Sequence, residues 1–311
     1  METNTFKKLM LISALAFGLV ACNTDDTPEP QAEQDIVDIV LASSDFNTLE
    51  AALVRADLVT TLRGAGPFTV FAPNDNAFND FLGANNLTAD QLLANPALAD
   101  ILTYHVVSGS VTASQVSPGA VGTVNTANFY VSEAPNGNLW INGSARIIDT
   151  DISASNGVIH VLDNVIIPPS QSIAEIAVGM TEAATPEFTQ LVGALSRANL
   201  VDAVSGNDGD YTVFAPTDAA FQALYTALGV NGYNDIPLET LTAVLTAHVV
   251  PARAFSQDLR QDMTLNTLNS GATLNVDLAG LTVGGAALNA DLLNIHATNG
   301  VIHVLNEVIV P

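Results

Sequence analysis

A block of thirteen residues occurs twice in this chain. Asn156-Gly-Val-Ile-His-Val-Leu-Asp-Asn-Val-Ile-Ile-Pro168 returns as Asn299-Gly-Val-Ile-His-Val-Leu-Asn-Glu-Val-Ile-Val-Pro311, identical at ten positions and displaced by 143 residues. Two further motifs keep that offset: Thr69-Val-Phe-Ala-Pro73 recurs as Thr212-Val-Phe-Ala-Pro216, and His105-Val-Val107 as His248-Val-Val250. Three ordered motifs at one spacing define a tandem repeat. Stacked solenoid repeats have periods of roughly 20–50 residues. A period of 143 is too long for that architecture, so each copy has to bury its own core and counts as a domain.

The N-terminus has a different character. Lys7 and Lys8 precede an apolar run from Leu9 to Val20, followed by Leu19-Val-Ala-Cys22. Twelve helical residues extend only about 18 Å, well short of a hydrocarbon core of roughly 30 Å. The segment therefore reads as a bacterial lipoprotein signal peptide over residues 1–21, with Cys22 as the lipidated first residue of the mature chain. Cys22 is the only cysteine, which excludes a disulfide framework. Residues 22–35 carry two prolines and five acidic residues, with no aliphatic side chain larger than alanine. Such a segment cannot build a core and is expected to be an acidic tether. Asn23 after the cysteine resembles outer-membrane sorting, and Asp25-Asp26 resembles a surface-export signal. A generic polar spacer is the alternative reading.

Charge narrows the function classes. The net charge is −24, and removing residues 1–21 takes away Glu2, Lys7 and Lys8, which lowers it by one to −25. Six arginines and no lysine remain. Nucleic-acid affinity comes mainly from Lys and Arg neutralising phosphates, so a nucleic-acid partner is excluded. At 48% hydrophobic and 13% charged residues, the chain outside the tether is composed to fold.

Within a repeat the patterns alternate between helix and strand. Ile36, Val37, Ile39, Val40, Leu49, Ala52, Leu53 and Ala56 recur at helical spacing, as do Leu191, Ala194, Leu195 and Ala198. Phe68–Ala72 and Tyr211–Ala215 are β-branched and aromatic, hence strands. Pro73 and Pro216 end them, and Asn74-Asp75 or Thr217-Asp218 supply capping oxygens for a following helix. Ile101–Val107 reads as a helix running into a short strand. A β-rich stretch follows to about residue 150, with turns at Pro118-Gly119, Pro135-Asn-Gly137 and Asn142-Gly143. Val158–Ile167, apolar on both faces, reads as a central buried strand. Gly206–Asp210 is an acidic glycine turn that lacks the ligand series of a calcium loop and reads as a solvated turn.

The motifs Phe-Thr-Val-Phe-Ala-Pro-x-Asp-x-Ala-Phe, Tyr-His-Val-Val and Asn-Gly-Val-Ile-His-Val-Leu-x-x-Val-Ile-x-Pro resemble those of fasciclin (FAS1) domains. The resemblance covers residues 36–168 and 173–311. It implies an α+β fold: two tandem fasciclin-like domains, each a β-sheet wedge with packed helices. It also implies a setting in cell adhesion, extracellular matrix or the bacterial envelope. In some fasciclin proteins a Tyr-His pair is tied to receptor adhesion, and Tyr104-His105 matches it. The second repeat has Ala247-His248 there, which puts a tyrosine-dependent contact in doubt. The alternative is that His105 and His248 bond buried groups near the Ala-Pro-x-Asp corner and hold the fold.

Other chemistry finds little support. Two histidines per repeat, His105 with His160 and His248 with His303, invite a metal reading, but no ligand spacing accompanies them and no metal is expected. Pro73, Asp75, His160, Pro216, Asp218 and His303 read as structural. His296 falls opposite Ser153 and is not repeated. No nucleophile elbow, phosphate loop or dinucleotide fingerprint occurs, so no cofactor and no catalytic residue are assigned. The leading function is that of a lipid-anchored adhesion protein binding matrix, glycan or neighbouring cells. The alternative is a glycan or small-ligand capture protein of the envelope. Exposed aromatics would then act as platforms, with Trp140, Tyr130, Tyr225 and Tyr233 as candidates, although core packing suits each of them. The short linker Pro168–Ser172 predicts a fixed or narrowly hinged pair.

Overall fold

The computed structural model describes residues 33–206 and 210–311. Cys22, the signal segment and most of the tether lie outside the described residues, as does the centre of the Gly206–Asp210 turn. In the first repeat the chain forms α1 (Ile36–Ala42), α2 (Asn47–Arg55) and α3 (Val59–Leu62), then β1 (Phe68–Pro73). Next come α4 (Asp75–Ala84), α5 (Ala89–Leu93), α6 (Leu98–Tyr104) and β2 (Val106–Ser108). The β-rich remainder is β3 (Gly119–Gly122), β4 (Asn128–Glu133), β5 (Leu139–Ile141), β6 (Ala145–Ala154) and β7 (Gly157–Leu162). The single opening helical pattern is thus two helices. Phe46, buried in the core, sits at the break as the N-cap of α2 without a side-chain cap of its own.

The second repeat runs through α7 (Ile173–Thr181), α8 (Thr189–Arg197), β8 (Tyr211–Pro216), α9 (Asp218–Leu228), α10 (Leu238–Ala247) and β9 (Val249–Val250). Short strands follow: β10 (Thr264–Asn266), β11 (Thr273–Asp277), β12 (Thr282–Val283), β13 (Ala286–Ala287), β14 (Ile295–Ala297) and the closing β15 (Gly300–Leu305). Among the described residues no helix is long and apolar enough to cross a membrane.

In each repeat the first strand pairs in parallel with the last, β1 with β7 and β8 with β15. Both closing strands are apolar on both faces because layers cover them on both sides. Helices pack on one side, where Ile36, Leu53, Phe78, Leu102 and Ile159 form one core. On the other side Phe71, Tyr104, Phe129, Ile141 and Leu162 fill the wedge between strands. The second repeat has the same two cores, centred on Phe221 and Ile302 and on Phe214 and Leu305. The wedges differ in one respect. In the first repeat the strands form one seven-stranded sheet, β2-β1-β7-β6-β5-β4-β3, because β6 is long and bends through irregular register near Asp149. In the second the counterpart is interrupted between β13 and β14, leaving two four-stranded sheets.

Candidate functional site

The repeated histidines hold backbone. His105, at the end of α6, accepts at Nε2 from the Ile166 N–H (3.1 Å), so Nδ1 carries the proton and donates to the Ile101 carbonyl (2.8 Å). His248 repeats this with Ile309 (2.9 Å) and Val244 (2.7 Å). On the closing strands the tautomer is reversed. His160 accepts at Nδ1 from Asp151 N–H (3.3 Å) and donates from Nε2 to Val111 O (2.8 Å), and His303 does the same with Asn294 and Ala254. Burial pushes His105, His248 and His303 down to about 4, so the neutral ring these bonds require persists at neutral pH. All four rings are buried with both nitrogens engaged, which leaves no lone pair for a metal. Among the described residues no three His, Cys, Asp or Glu side chains cluster to hold one.

The strand-to-helix corner divides its labour differently from the sequence expectation. Asn74 and Thr217 cap the following helices through Ala77 N–H (2.8 Å) and Ala220 N–H (3.1 Å). Asp75 and Asp218 turn away and cap the preceding helices, at Thr48 N–H (2.8 Å) and Gln190 N–H (2.8 Å). Burial works against the Asp75 carboxylate, but hydrogen bonds from Thr48 and Asn47 outweigh it and hold the group below its usual range. Pro73 and Pro216 are the last residues of β1 and β8, as their missing N–H requires.

The interaction candidates are placed less openly than the resemblance implies. Tyr104 is fully buried, its hydroxyl donating to Asn128 O (2.9 Å) and accepting from Asn142 Nδ2 (3.0 Å). Neither Tyr104, His105 nor His248 presents surface, so in this conformation none of the three can contact a partner. Tyr225 is buried against Gln190. Tyr233 is half-buried over Gly193 of α8, where an added Cβ would collide with its ring, and its carbonyl receives Arg197 Nη1. Trp140 stays half-exposed on β5, on the same sheet face as its register partners Ser132 and Arg146. Two residues went unrecognised in the sequence. Asn156 and Asn299, which open the repeated block, each tie three backbone groups together.

That same sheet face meets the second repeat. Ser132 donates to Asp258 Oδ2 (3.0 Å), Arg260 Nη2 to Glu133 O (2.6 Å), and Gln257 Nε2 to Gly143 O (3.0 Å). Asn294 Nδ2 also donates to Gly143 O (2.9 Å). Gly143 has φ 63°, and a Cβ there would lie 2.6 Å from the Asn294 side chain, so only glycine fits the turn and the contact together. The Arg253 guanidinium lies 4.2 Å above the Tyr130 ring and is fixed from behind by Asp210 (2.7 Å) and the carbonyls of Ala297 (3.0 Å) and Gly300 (2.7 Å). Tyr130 is therefore part of the junction rather than an open platform. These bonds join the two repeats directly.

His296 completes the junction, edge-on to Tyr130 (5.9 Å) and Phe255 (5.6 Å). Among the described residues neither of its buried nitrogens has a hydrogen-bond partner. Burial, followed by the nearby Arg253 charge, pushes it down to about 3. Each unpartnered buried nitrogen costs on the order of 1 kcal/mol or more. His296→Phe, of similar shape, is therefore expected to stabilise the protein by about 1 kcal/mol and to raise its melting temperature at pH 7.5. A lowered Tm would mean that the imidazole has a partner after all. Beside His296 the two repeats and the linker enclose a cleft of ≈ 500 Å³ that reaches from Asp80 and Phe81 of α4 to Asn294.

The comparisons with known proteins agree with the repeat. The fasciclin domain family model matches twice, over residues 44–168 and 186–311. Protein sll1483 of Synechocystis is 44% identical over 135 residues, covering 43% of this chain and 73% of that protein. Pig transforming growth factor-beta-induced protein ig-h3 is 32% identical over 256 residues, or 80% of this chain, and human periostin 26% over 282 residues, or 90%. The chain spans only about a third of those two proteins, 35% and 32% respectively. A solved FAS1 domain pair from the insect cell adhesion molecule fasciclin I is 16% identical. It covers 85% of this chain and 96% of its own, with a TM-score of 0.38. The chain belongs to the fasciclin domain family and carries two copies of the domain in tandem.

Proposed function

We propose that the protein is a non-catalytic adhesion module, exported and held at the outer membrane by a lipid on Cys22. The acidic tether over residues 22–35 sets it off from the surface. The observation that carries this reading is the junction. Ser132, Gly143, Arg253 and Arg260 hold the two domains as one body, so two copies of a surface are offered at fixed spacing. Linked weak sites gain roughly 10²–10⁴ in avidity when both engage, and a fixed spacing favours a repetitive partner such as a matrix, a glycan or a neighbouring cell surface. Family membership supports the same reading, since its relatives include periostin and ig-h3. The acidic surface, with net charge −24, argues against polyanionic partners.

Residues 32–311, and each domain alone, should be titrated against immobilised matrix proteins and polysaccharides with and without calcium. Saturable binding that is weak for single domains and at least tenfold tighter for the pair is the expected result. Equal binding by pair and single domain would remove the avidity argument, and no binding at all would remove the adhesive reading.

A further inference from the structure

The cleft between the domains has a lining of an unusual kind for so acidic a chain. Five amides, Asn85, Asn142, Asn164, Gln171 and Asn294, border it together with the hydroxyl of Ser144, while no arginine does. Asp80 is the one carboxylate. An anionic guest would meet no cation there and would face the field of a chain of charge −24. A cationic guest would find only a single exposed carboxylate. Both ends of the Asn142, Asn164 and Asn294 amides, and Nδ2 of Asn85, are already bonded within the protein. What the lining leaves for a guest is the Gln171 amide, a donor and an acceptor, and the Asp80 carboxylate, an acceptor, beside the flat apolar surfaces of Phe81, Pro168 and Pro169. That combination complements a neutral molecule with hydroxyls on its edge and C–H groups on its face. A volume of ≈ 500 Å³ lies within the roughly 300–1,000 Å³ of small-molecule sites.

The polar side chains of the lining differ in how they are held. Asn142 and Asn294 are held by bonds to Tyr104, Tyr130, Gly143 and Ser256, which fixes a preformed wall. Among the described residues no hydrogen bond engages the side chains of Asp80, on α4, or Gln171, in the linker, and both are exposed. The unpartnered imidazole of His296 borders the same space.

We propose that the interdomain cleft is a binding site for a short neutral saccharide, with Asp80 and Gln171 as its hydroxyl-binding groups and Phe81 as its apolar face. The site is composite and exists only while the domains are paired, so an occupant braces the junction. It goes beyond the adhesive reading and does not rest on it: adhesion could run through other surfaces with this cleft empty.

The test is calorimetric and NMR titration of the whole mature chain with neutral trisaccharides (maltotriose, cellotriose and chitotriose) beside galacturonic acid trimer as the anionic control. At least one neutral series is expected to bind saturably, with shifts centred on residues 80–85, 164–171 and 294–296. Binding should weaken about tenfold in Asp80→Ala and in Gln171→Ala, both exposed positions whose variants keep the wild-type Tm. No binding by any neutral trisaccharide, equal binding of the charged trimer, or affinity unchanged in both variants would each overturn the proposal. In the last case a glycan-binding adhesin would survive and only its placement in this cleft would fail.

Discussion

Lowering the pH from 7 to 5 is expected to open the second domain while the first remains folded. His105, His248 and His303 are held neutral by burial, with pKa values of about 4, and His296 near 3. In the unfolded chain each returns to about 6.5 and takes up a proton below it. A histidine depressed in the folded state therefore contributes stability that is complete above about pH 6.5 and is lost as pH falls towards its folded pKa. The loss is about 1.4 kcal/mol per pH unit for each ring once the unfolded form is protonated. Only His105 of the four lies in the first domain, whereas His248, His296 and His303 lie in the second.

A competing effect is the relief of charge repulsion, which should favour folding as carboxylates protonate. Ordinary carboxylates titrate near 4, so this relief arrives after the histidine loss has begun and cannot cancel it between pH 6.5 and 5. Amide exchange followed by mass spectrometry should show protection in Gly300–Leu305 falling at a higher pH than in Gly157–Leu162. Simultaneous loss in the two strands, or full protection of both at pH 5, would contradict the assignment of buried neutral rings.

Replacing Asn299 with alanine is expected to cost about 3–5 kcal/mol and to unfold the second domain at moderate temperature. The side chain is 1% exposed. It accepts from Ile173 N–H (2.9 Å) at the start of α7 and donates to the carbonyls of Val204 (2.9 Å) and Gly206 (3.0 Å). Three backbone groups would lose their partner at once, two of them buried and the Gly206 carbonyl partly so, at about 1–3 kcal/mol for each buried group before relaxation. Asn299→Asp keeps the shape but turns the donor pair into an acceptor facing two carbonyls, so it should do no better than alanine. Asn156 makes the same three bonds, to Ile36, Leu62 and Gly64, and its substitution should destabilise the first domain equally. The adjoining glycine is fixed too, since a Cβ at Gly300 would stand 2.1 Å from the Tyr211 carbonyl. Thermal melts of the two Asn variants would test this. A loss below 1 kcal/mol would show that the backbone groups find other partners.

The sequence was informative where physics is local or periodic. The 143-residue offset exposes two domains, β-branched runs expose β1, β8 and the closing strands, and the prolines mark strand ends. Capping was half legible. A short polar side chain before a helix is a local signal, as at Asn74 and Thr217, but nothing local shows that Asp75 reaches back to Thr48. Asn156 and Asn299 were visible as the first letters of the repeated block. Their partners, however, lie 92 to 126 residues away along the chain, beyond the reach of any pattern.

The junction could have been approached through the positions that break the repeat. Arg253 falls opposite Ser110 and His296 opposite Ser153 at the 143-residue offset, and both breaks turn out to face Tyr130. Two copies of one fold need the same core but cannot use the same surface to meet each other, so the contact is written in residues that one copy lacks. The tyrosine at position 104, 0% exposed, marks a different limit. An aromatic beside a histidine gives no sign of whether it points outward or, as here, into the wedge between strands.

The parallel pairing of first strand with last has a consequence for how the chain comes into being. Phe68 is hydrogen-bonded in register with Gly157, and Tyr211 with Gly300. A polypeptide made or threaded from its N-terminus therefore carries β1 unpaired on that side until almost the whole domain has followed it, because the seat at the centre of the sheet is filled last. Completion of either sheet thus waits on a contact that spans nearly the whole length of its domain, the kind of non-local pairing whose loop closure slows folding.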